Sequence, residues 1–404
     1  MKILLFVNHE RLTTTVGGAE KVYAEFANEF TRRGCEVGAA YNAPDDAPFV
    51  FPVDSRVRLF NLRTSSRRAP AFVAAKIWRE ITRPMRKTFL APLFPDFIPA
   101  LKRKSLKAQI DATLSRFRPD VVVLFAPDDA QAFFHRRPRV DFATVQMSHG
   151  SPDWFLNELP LDELRALLNR CDVVQTLLPS FAPPLQAVCS PPVVSIPNVV
   201  PRFAESVDVD ERERAGSPRI VFPARLDMLQ KRQILAIEAF AKIADACPDW
   251  TLHFYGDEDG GDKYRTRLQA RIAELRLNDR VFLRPSTLNI KAELLKSDIL
   301  AFPSSFEGFG LALGEALSLG LPAVGFADAP AVNELIIDGE NGFLAVDVDD
   351  FAQKLKTLID SKELRRQFGA NAKKSVEKYE ASKVWNAWET LLREIVEKRR
   401  SHRL

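Results

Sequence analysis

Cysteine is scarce in this chain of 404 residues. The four cysteines, Cys35, Cys171, Cys189 and Cys247, lie far apart with no C-x-x-C pair. That excludes a disulfide framework and a zinc finger, and points to a reducing compartment. Long apolar runs are also absent. No stretch approaches the ~18 residues that a membrane-spanning helix needs. The N-terminus is apolar only from Ile3 to Val7 before Asn8-His9-Glu10. A signal peptide needs a longer apolar region, so this run reads as a buried first strand and a cytoplasmic location is expected. Charge of one sign is not in excess: 57 Lys and Arg face 53 Asp and Glu, for a net +4. That balance does not by itself imply nucleic acid as a partner.

What is present is ordinary globular composition, 46% hydrophobic and 27% charged, in a chain long enough for two domains. Apolar strand-like runs alternate with helical patterns. Ile3–Val7, Glu36–Tyr41, Val121–Phe125, Ala143–Met147, Val173–Leu178 and Val193–Ile196 read as buried strands. Residues 201 to 218 read as a linker. A second alternation begins at Arg219, with strands at Thr251–Phe254, Arg280–Leu283, Asp298–Phe302 and Leu321–Val324. Unbroken apolar strands separated by helices indicate α/β architecture with parallel sheets covered on both faces. The expected organisation is an N-terminal Rossmann-like domain over 1–205, a C-terminal one over 206–380, and a C-terminal helix in 381–404. That last stretch has an apolar stripe (Val384, Trp388, Leu391, Leu392, Ile395) for packing on the second domain or crossing back to the first. Ligands of such sheets bind beyond the carboxyl ends of the strands, so two facing sheets predict an interdomain cleft.

The chemistry concentrates in Pro303-Ser304-Ser305-Phe306-Glu307-Gly308-Phe309-Gly310-Leu311-Ala312-Leu313-Gly314-Glu315. A strand ends at Phe302 and a helix is expected from about Leu311. Glycines let backbone approach a ligand closely, and N–H groups at a helix start form an anion site. Glu307 and Glu315 suit hydroxyl groups beside that anion, such as those of a sugar and a ribose. Compensating cations stand upstream: Arg225 after the strand Ile220–Ala224, and Lys231 at the start of the next helix. Two cations and a helix N-terminus suit a diphosphate and the charge on a departing nucleotide.

Arg225 with Lys231, then Glu307 and Glu315, resemble the retaining glycosyltransferases of family 4, which have the GT-B fold. Gly17-Gly18-Ala19-Glu20, Ser148-His149-Gly150 and Ile196-Pro197-Asn198 add to the likeness. The resemblance implies roles residue by residue. Arg225 and Lys231 hold the donor diphosphate. Glu315 binds the ribose, and Glu307 lies near the transferred sugar. Phe309, Gly310 and Leu311 lend backbone contacts. Gly18 lies beside the phosphates and His149 near the donor sugar. The implied reaction moves a sugar, with retention, from a nucleotide-diphosphate donor (a UDP-sugar ahead of GDP-mannose) to a polysaccharide or lipid-linked glycan. It uses no divalent metal and no cofactor. Three departures leave base and sugar open: Arg232 where a glycine is usual, the acidic turn Tyr255-Gly256-Asp257-Glu258-Asp259-Gly260-Gly261, and Ala327-Asp328-Ala329-Pro330 ahead of Glu334. Rival readings are another GT-B reaction, such as nucleotide-sugar epimerisation, and a non-catalytic sugar-nucleotide-binding scaffold.

Other polar groups read as ordinary. His9, His135, His253 and His402 have no ligand-like spacing. Asp208-Val209-Asp210 and Asp347-Val348-Asp349 read as solvated or capping residues rather than metal ligands. One segment stands apart. Residues 63–107 hold twelve Lys or Arg and two acids, Glu80 and Asp96. Val73, Ile77, Ile81, Met85 and Phe89 recur every four residues among these cations, in a helix that Pro84 is expected to kink. The pattern suits an anionic membrane surface; the alternatives are a stripe packed on the N-terminal sheet, or a partner protein.

Overall fold

The computed structural model describes residues 1–9, 11–14, 17–43, 47–63, 70–87, 91–135, 140–214, 218–258 and 261–401. The chain divides into two compact units, Met1–Ser195 with Trp388–Leu404, and Ile196–Ala387.

The first unit is built on seven strands: β1 (Lys2–Phe6), β2 (Glu36–Tyr41), β3 (Arg58–Asn61), β4 (Val121–Leu124), β5 (Ala143–Met147), β6 (Val173–Thr176) and β7 (Val193–Ser195). All neighbours are parallel, in the order β3-β2-β1-β4-β5-β6-β7. Strands covered on both faces need apolar residues without alternation, as in Ile3-Leu4-Leu5-Phe6 and Val121-Val122-Val123-Leu124, all fully buried. The first crossover helix, Gly18–Arg32, buries Val22, Phe26 and Phe30 at spacing four. It stops at Gly34, whose φ of +81° suits glycine. The end of the last helix, Ala381–Ser401, also belongs to this unit. Trp388 meets Phe26 edge-on at 5.1 Å. Glu389 pairs with Arg33 at 2.6 Å, and Arg400 with Asp120 at 2.7 Å.

The second unit has six parallel strands: β8 (Arg219–Pro223), β9 (Thr251–Tyr255), β10 (Val281–Arg284), β11 (Ile299–Phe302), β12 (Ala323–Phe326) and β13 (Gly342–Ala345). Their order is β10-β9-β8-β11-β12-β13. The sequence of connections reverses between β8 and β11. In a doubly wound sheet that reversal opens a crevice at the carboxyl ends of those two strands. β3 and β13, short and only partly buried, were not anticipated.

Three expectations need correction. Residues 201–218 are not a bare linker, because Val209–Arg214 is helical. Asp210 within it stays half-exposed and pairs with Lys362 at 2.8 Å and with Arg366. Asp347, in contrast, caps the helix Val348–Asp360 by accepting from the Asp350 N–H at 2.8 Å. In the basic segment, Pro84 ends the helix Pro70–Thr82 rather than kinking it, since proline has no N–H to continue the ladder. The apolar stripe does not pack on the sheet either: Val73, Ile77 and Ile81 are 43%, 56% and 63% exposed, and the helix buries Phe72 and Ala75 instead. Phe89, Arg67 and Arg68 lie outside the described residues. Among the described residues no helix is long and apolar enough to cross a membrane.

Candidate functional site

The loop leaving β8 is organised by Asp227. Its carboxylate accepts from the N–H groups of Leu229 (2.9 Å) and Gln230 (2.7 Å). Short acidic side chains favour such turns because they satisfy backbone donors two or three residues on. Gln233, fully buried, closes the loop by accepting from Asp227 N–H and donating to the Arg225 carbonyl at 2.8 Å. Arg225 Nη2 is turned to Gln230 Oε1 at 2.7 Å and to Asp227 at 3.1 Å. Arg232 adopts φ +48° just ahead of the helix Gln233–Ile243. For a non-glycine residue that left-handed conformation costs roughly 1–2 kcal/mol.

The loop leaving β11 is tied to the first. Ser305 donates its N–H to the Gln230 carbonyl at 2.8 Å and its hydroxyl to the Leu229 carbonyl at 2.8 Å. Gln230 Nε2 donates to the Phe306 carbonyl at 3.3 Å. Two residues later, Glu307 meets Lys231. The ammonium donates to both carboxylate oxygens, at 2.6 and 2.8 Å. The side chains are only 14% and 8% exposed, so this is a shielded ion pair. Gly310 follows at φ +85°, a conformation that demands glycine, and precedes the helix Leu311–Ser318. Phe309 is buried edge-on against Tyr379 at 5.1 Å. Leu311 is half-buried, and Glu315 is buried in the helix. Gly314 allows close approach: a Cβ there would stand 2.7 Å from Val200 Cγ2.

Arg225, Lys231 and Glu307 are therefore assembled on two mutually bonded loops, both leaving strands that flank the reversal point. Gln230, Asp227, Gln233, Ser305 and Arg232 escaped the sequence reading as participants. Only Asp227 carried a signal, as an acid opening a turn. The acidic turn after β9 is spent on structure. Asp257 accepts from Ser286 N–H at 3.2 Å, and Glu258 accepts from the N–H groups of Tyr264 and Arg265 at the start of the helix Lys263–Glu274. Asp259 and Gly260 lie outside the described residues. Among the described residues, no group of three or more His, Cys, Asp or Glu could hold a metal ion.

Gly18 and His149 belong to the first unit. Gly18 is exposed and begins the helix after β1. His149 follows β5 and stacks on Phe125, after β4, with ring centroids 5.1 Å apart. Its Nε2 is inaccessible and has no hydrogen-bond partner. Burial lowers its pKa to about 4. A histidine that titrates lower in the folded chain takes its proton first in the unfolded one, whose value is about 6.5. His149 therefore withdraws stability as pH falls from about 6.5 to about 4 and adds no further loss below. The melting temperature of the parent is expected to fall more steeply across that window than that of His149→Leu. Parallel curves for the two proteins would remove this contribution.

Residues 205–375 match the family model described as Glycosyl transferases group 1. The chain is 30% identical over 213 residues to an exopolysaccharide phosphotransferase of Streptomyces coelicolor, a match covering 52% of this chain and 22% of that protein. It is 29% identical over 171 residues to the poly(glycerol-phosphate) alpha-glucosyltransferase of Bacillus subtilis, covering 42% and 25%. The chain thus spans about a quarter of the length of these curated relatives. Sucrose-phosphate synthase from Thermosynechococcus elongatus superposes with a TM-score of 0.78 at 16% identity, over 98% of this chain and 99% of the other. Anabaena HepE, solved with UDP and glucose, superposes with a TM-score of 0.68 at 20% identity, over 96% and 98%. By sequence, residues 205–375 are similar to the Glycosyl transferases group 1 model, in a chain with the α/β fold of the GT-B glycosyltransferases.

Proposed function

We propose that this protein is a retaining, metal-independent glycosyltransferase of family 4. It moves a sugar from a nucleotide-diphosphate donor, a UDP-sugar ahead of GDP-mannose, to a hydroxyl of a polysaccharide or lipid-linked glycan. The observation that carries the reading is the assembly of Arg225, Lys231 and Glu307 on two interlocked loops at the reversal point of the second sheet. The group 1 match over this unit and the UDP and glucose bound by HepE support the choice of donor.

The chemistry follows from donor and acceptor capacity. An ammonium has three N–H donors. Glu307 occupies two on Lys231, leaving one direction for a phosphate oxygen. Arg225 adds a second fixed cation. As the bond from the sugar's anomeric carbon to the phosphate oxygen breaks, negative charge grows on that oxygen, where both cations stabilise it. The acceptor hydroxyl forms the new bond on the same face, and its proton passes to the departing phosphate. Glu307, neutralised by Lys231, accepts a hydrogen bond from a sugar hydroxyl without repelling the diphosphate. Glu315 takes the ribose, and Phe309, Gly310 and Leu311 supply backbone contacts; the family resemblance assigns Gly18 to the phosphates and His149 to the donor sugar. The test is release of nucleotide from UDP-glucose, UDP-N-acetylglucosamine, UDP-galactose and GDP-mannose in EDTA. Each is run with and without glycan acceptors, and the anomeric configuration of any product is read by NMR. Acceptor-dependent release with retention is expected; inversion, or release only with added metal, contradicts the reading.

The acceptor side is proposed to rest on an anionic membrane surface. Ile77, Ile81, Leu93 and Phe97 are exposed large apolar side chains, with exposed Lys76, Arg83, Lys102, Arg103 and Lys104 among them. Each cation near anionic lipid is worth about 1 kcal/mol, and the apolar groups add burial in the interface. Cosedimentation with phosphatidylglycerol vesicles is expected to weaken with salt and to fall at least ~10-fold in Ile77→Glu/Ile81→Glu. Binding that ignores both salt and this variant would dismiss the membrane surface.

A further inference from the structure

The residue after Lys231 is bonded to the Glu307 loop as well. Arg232 Nε donates to the Pro303 carbonyl at 2.9 Å, and Nη2 to the Ser304 carbonyl at 3.1 Å. Its guanidinium lies over the Phe326 ring, 4.8 Å from the centroid, at the end of β12. Pro303 and Ser304 are the first two residues after β11, and both are buried. Lys231 and Arg232 therefore grip one loop at two points: Lys231 at the Glu307 carboxylate, Arg232 at the stem. Their side chains diverge because the backbone turns left-handed at Arg232. Its N–H is bonded to the Asp227 carbonyl at 2.9 Å and its carbonyl accepts from the Leu235 N–H at 2.9 Å. A glycine would adopt φ +48° without strain but would leave the two stem carbonyls without this donor.

We propose that Arg232 is a positioning residue: by clamping the Pro303 and Ser304 carbonyls against Phe326 it sets where Glu307 meets Lys231. Its consequence for turnover rests on the glycosyltransferase reading; the clamp itself does not. A planar guanidinium reaches two carbonyls at once, whereas an ammonium is a single point charge on a flexible stem. Lysine at 232 therefore cannot replace it. Small displacements at a reacting centre are costly, since about 1 Å of misplacement can lose about 100-fold in rate.

The test uses the full chain and its Arg232→Gly and Arg232→Lys variants, read in two ways. The first is amide hydrogen exchange over residues 303–310, which needs no activity and reports local opening. Exchange there is expected to speed by about 10-fold or more in Arg232→Gly, while the strands β8, β11 and β12 keep the parent's protection. The second is steady-state kinetics with whichever of UDP-glucose, UDP-N-acetylglucosamine, UDP-galactose or GDP-mannose the parent turns over. The expected result is a fall in kcat of about 10- to 100-fold in both variants, with donor KM within about threefold of the parent. Unchanged exchange overturns the clamp whatever the activity. Loosened exchange with an unchanged kcat overturns the positioning role. A parent that turns over no donor, with loosened exchange in the variant, overturns the glycosyltransferase reading and leaves the clamp standing.

Discussion

Glu307→Gln is expected to lose about 1,000-fold in kcat/KM, the upper end of what removing one charge-stabilising group costs. Two effects combine. The carboxylate that would accept from a sugar hydroxyl becomes a weaker acceptor, and Lys231 loses the counter-charge that fixes its ammonium 2.6 and 2.8 Å away. The second effect also reaches stability. Breaking a shielded ion pair by removing one partner costs about 3–5 kcal/mol, because the remaining charge stays desolvated. Lys231→Met alone is expected to destabilise the second unit similarly. The double variant Lys231→Met/Glu307→Gln leaves no uncompensated charge, so it should be more stable than either single variant. Urea unfolding of the four proteins measures that coupling. Strictly additive losses would mean that the two side chains do not depend on one another. Near-normal transfer by Glu307→Ala, with the fold intact, would take Glu307 out of the mechanism.

The second large effect is expected at Arg225. Its guanidinium is 42% exposed and bonded to Gln230 and Asp227, so Arg225→Ala should change stability by no more than about 1 kcal/mol. Its absence would be felt in the transition state, where charge on the departing phosphate grows. A loss of about 100-fold in kcat/KM is expected. Arg225→Lys keeps the charge but as a point ammonium on a flexible stem, without the planar group whose Nη2 meets both Gln230 and Asp227, so partial recovery is expected. Gln230→Ala should fall between parent and Arg225→Ala, because Gln230 links Arg225 to the Phe306 carbonyl. Equal kcat/KM for Arg225→Ala and the parent would remove Arg225 from the site.

Much of this was legible from residue order. Buried parallel strands betray themselves by unbroken apolar runs, so β1, β4, β5, β8 and β11 stood out. β3 (Arg58-Leu59-Phe60-Asn61) and β13 (Gly342-Phe343-Leu344-Ala345) did not, because polar residues or glycine leave each an apolar run of only two or three residues. Arg225, Lys231 and Glu307 could be named in advance because spacing relative to strand ends fixes which loops they occupy. Their supporting shell could not. Gln230 and Gln233 are useful through amide orientation, and Arg232 through a backbone turn that nothing in the residue type requires. Whether Ile77 and Ile81 are exposed stayed open between two readings: helical spacing makes a stripe, but only tertiary packing decides whether that stripe is covered.

The central claim is that Arg225, Lys231 and Glu307 serve one nucleotide diphosphate. Calorimetric titration of UDP and GDP into the full chain in EDTA, repeated with Arg225→Ala and Lys231→Met, tests it most directly. Saturable binding of one nucleotide is expected, weakened at least ~10-fold by each variant, the loss of about 1.4 kcal/mol that one charge-assisted contact supplies. Affinity indifferent to both substitutions, or no saturable binding of either nucleotide to the parent, would contradict it.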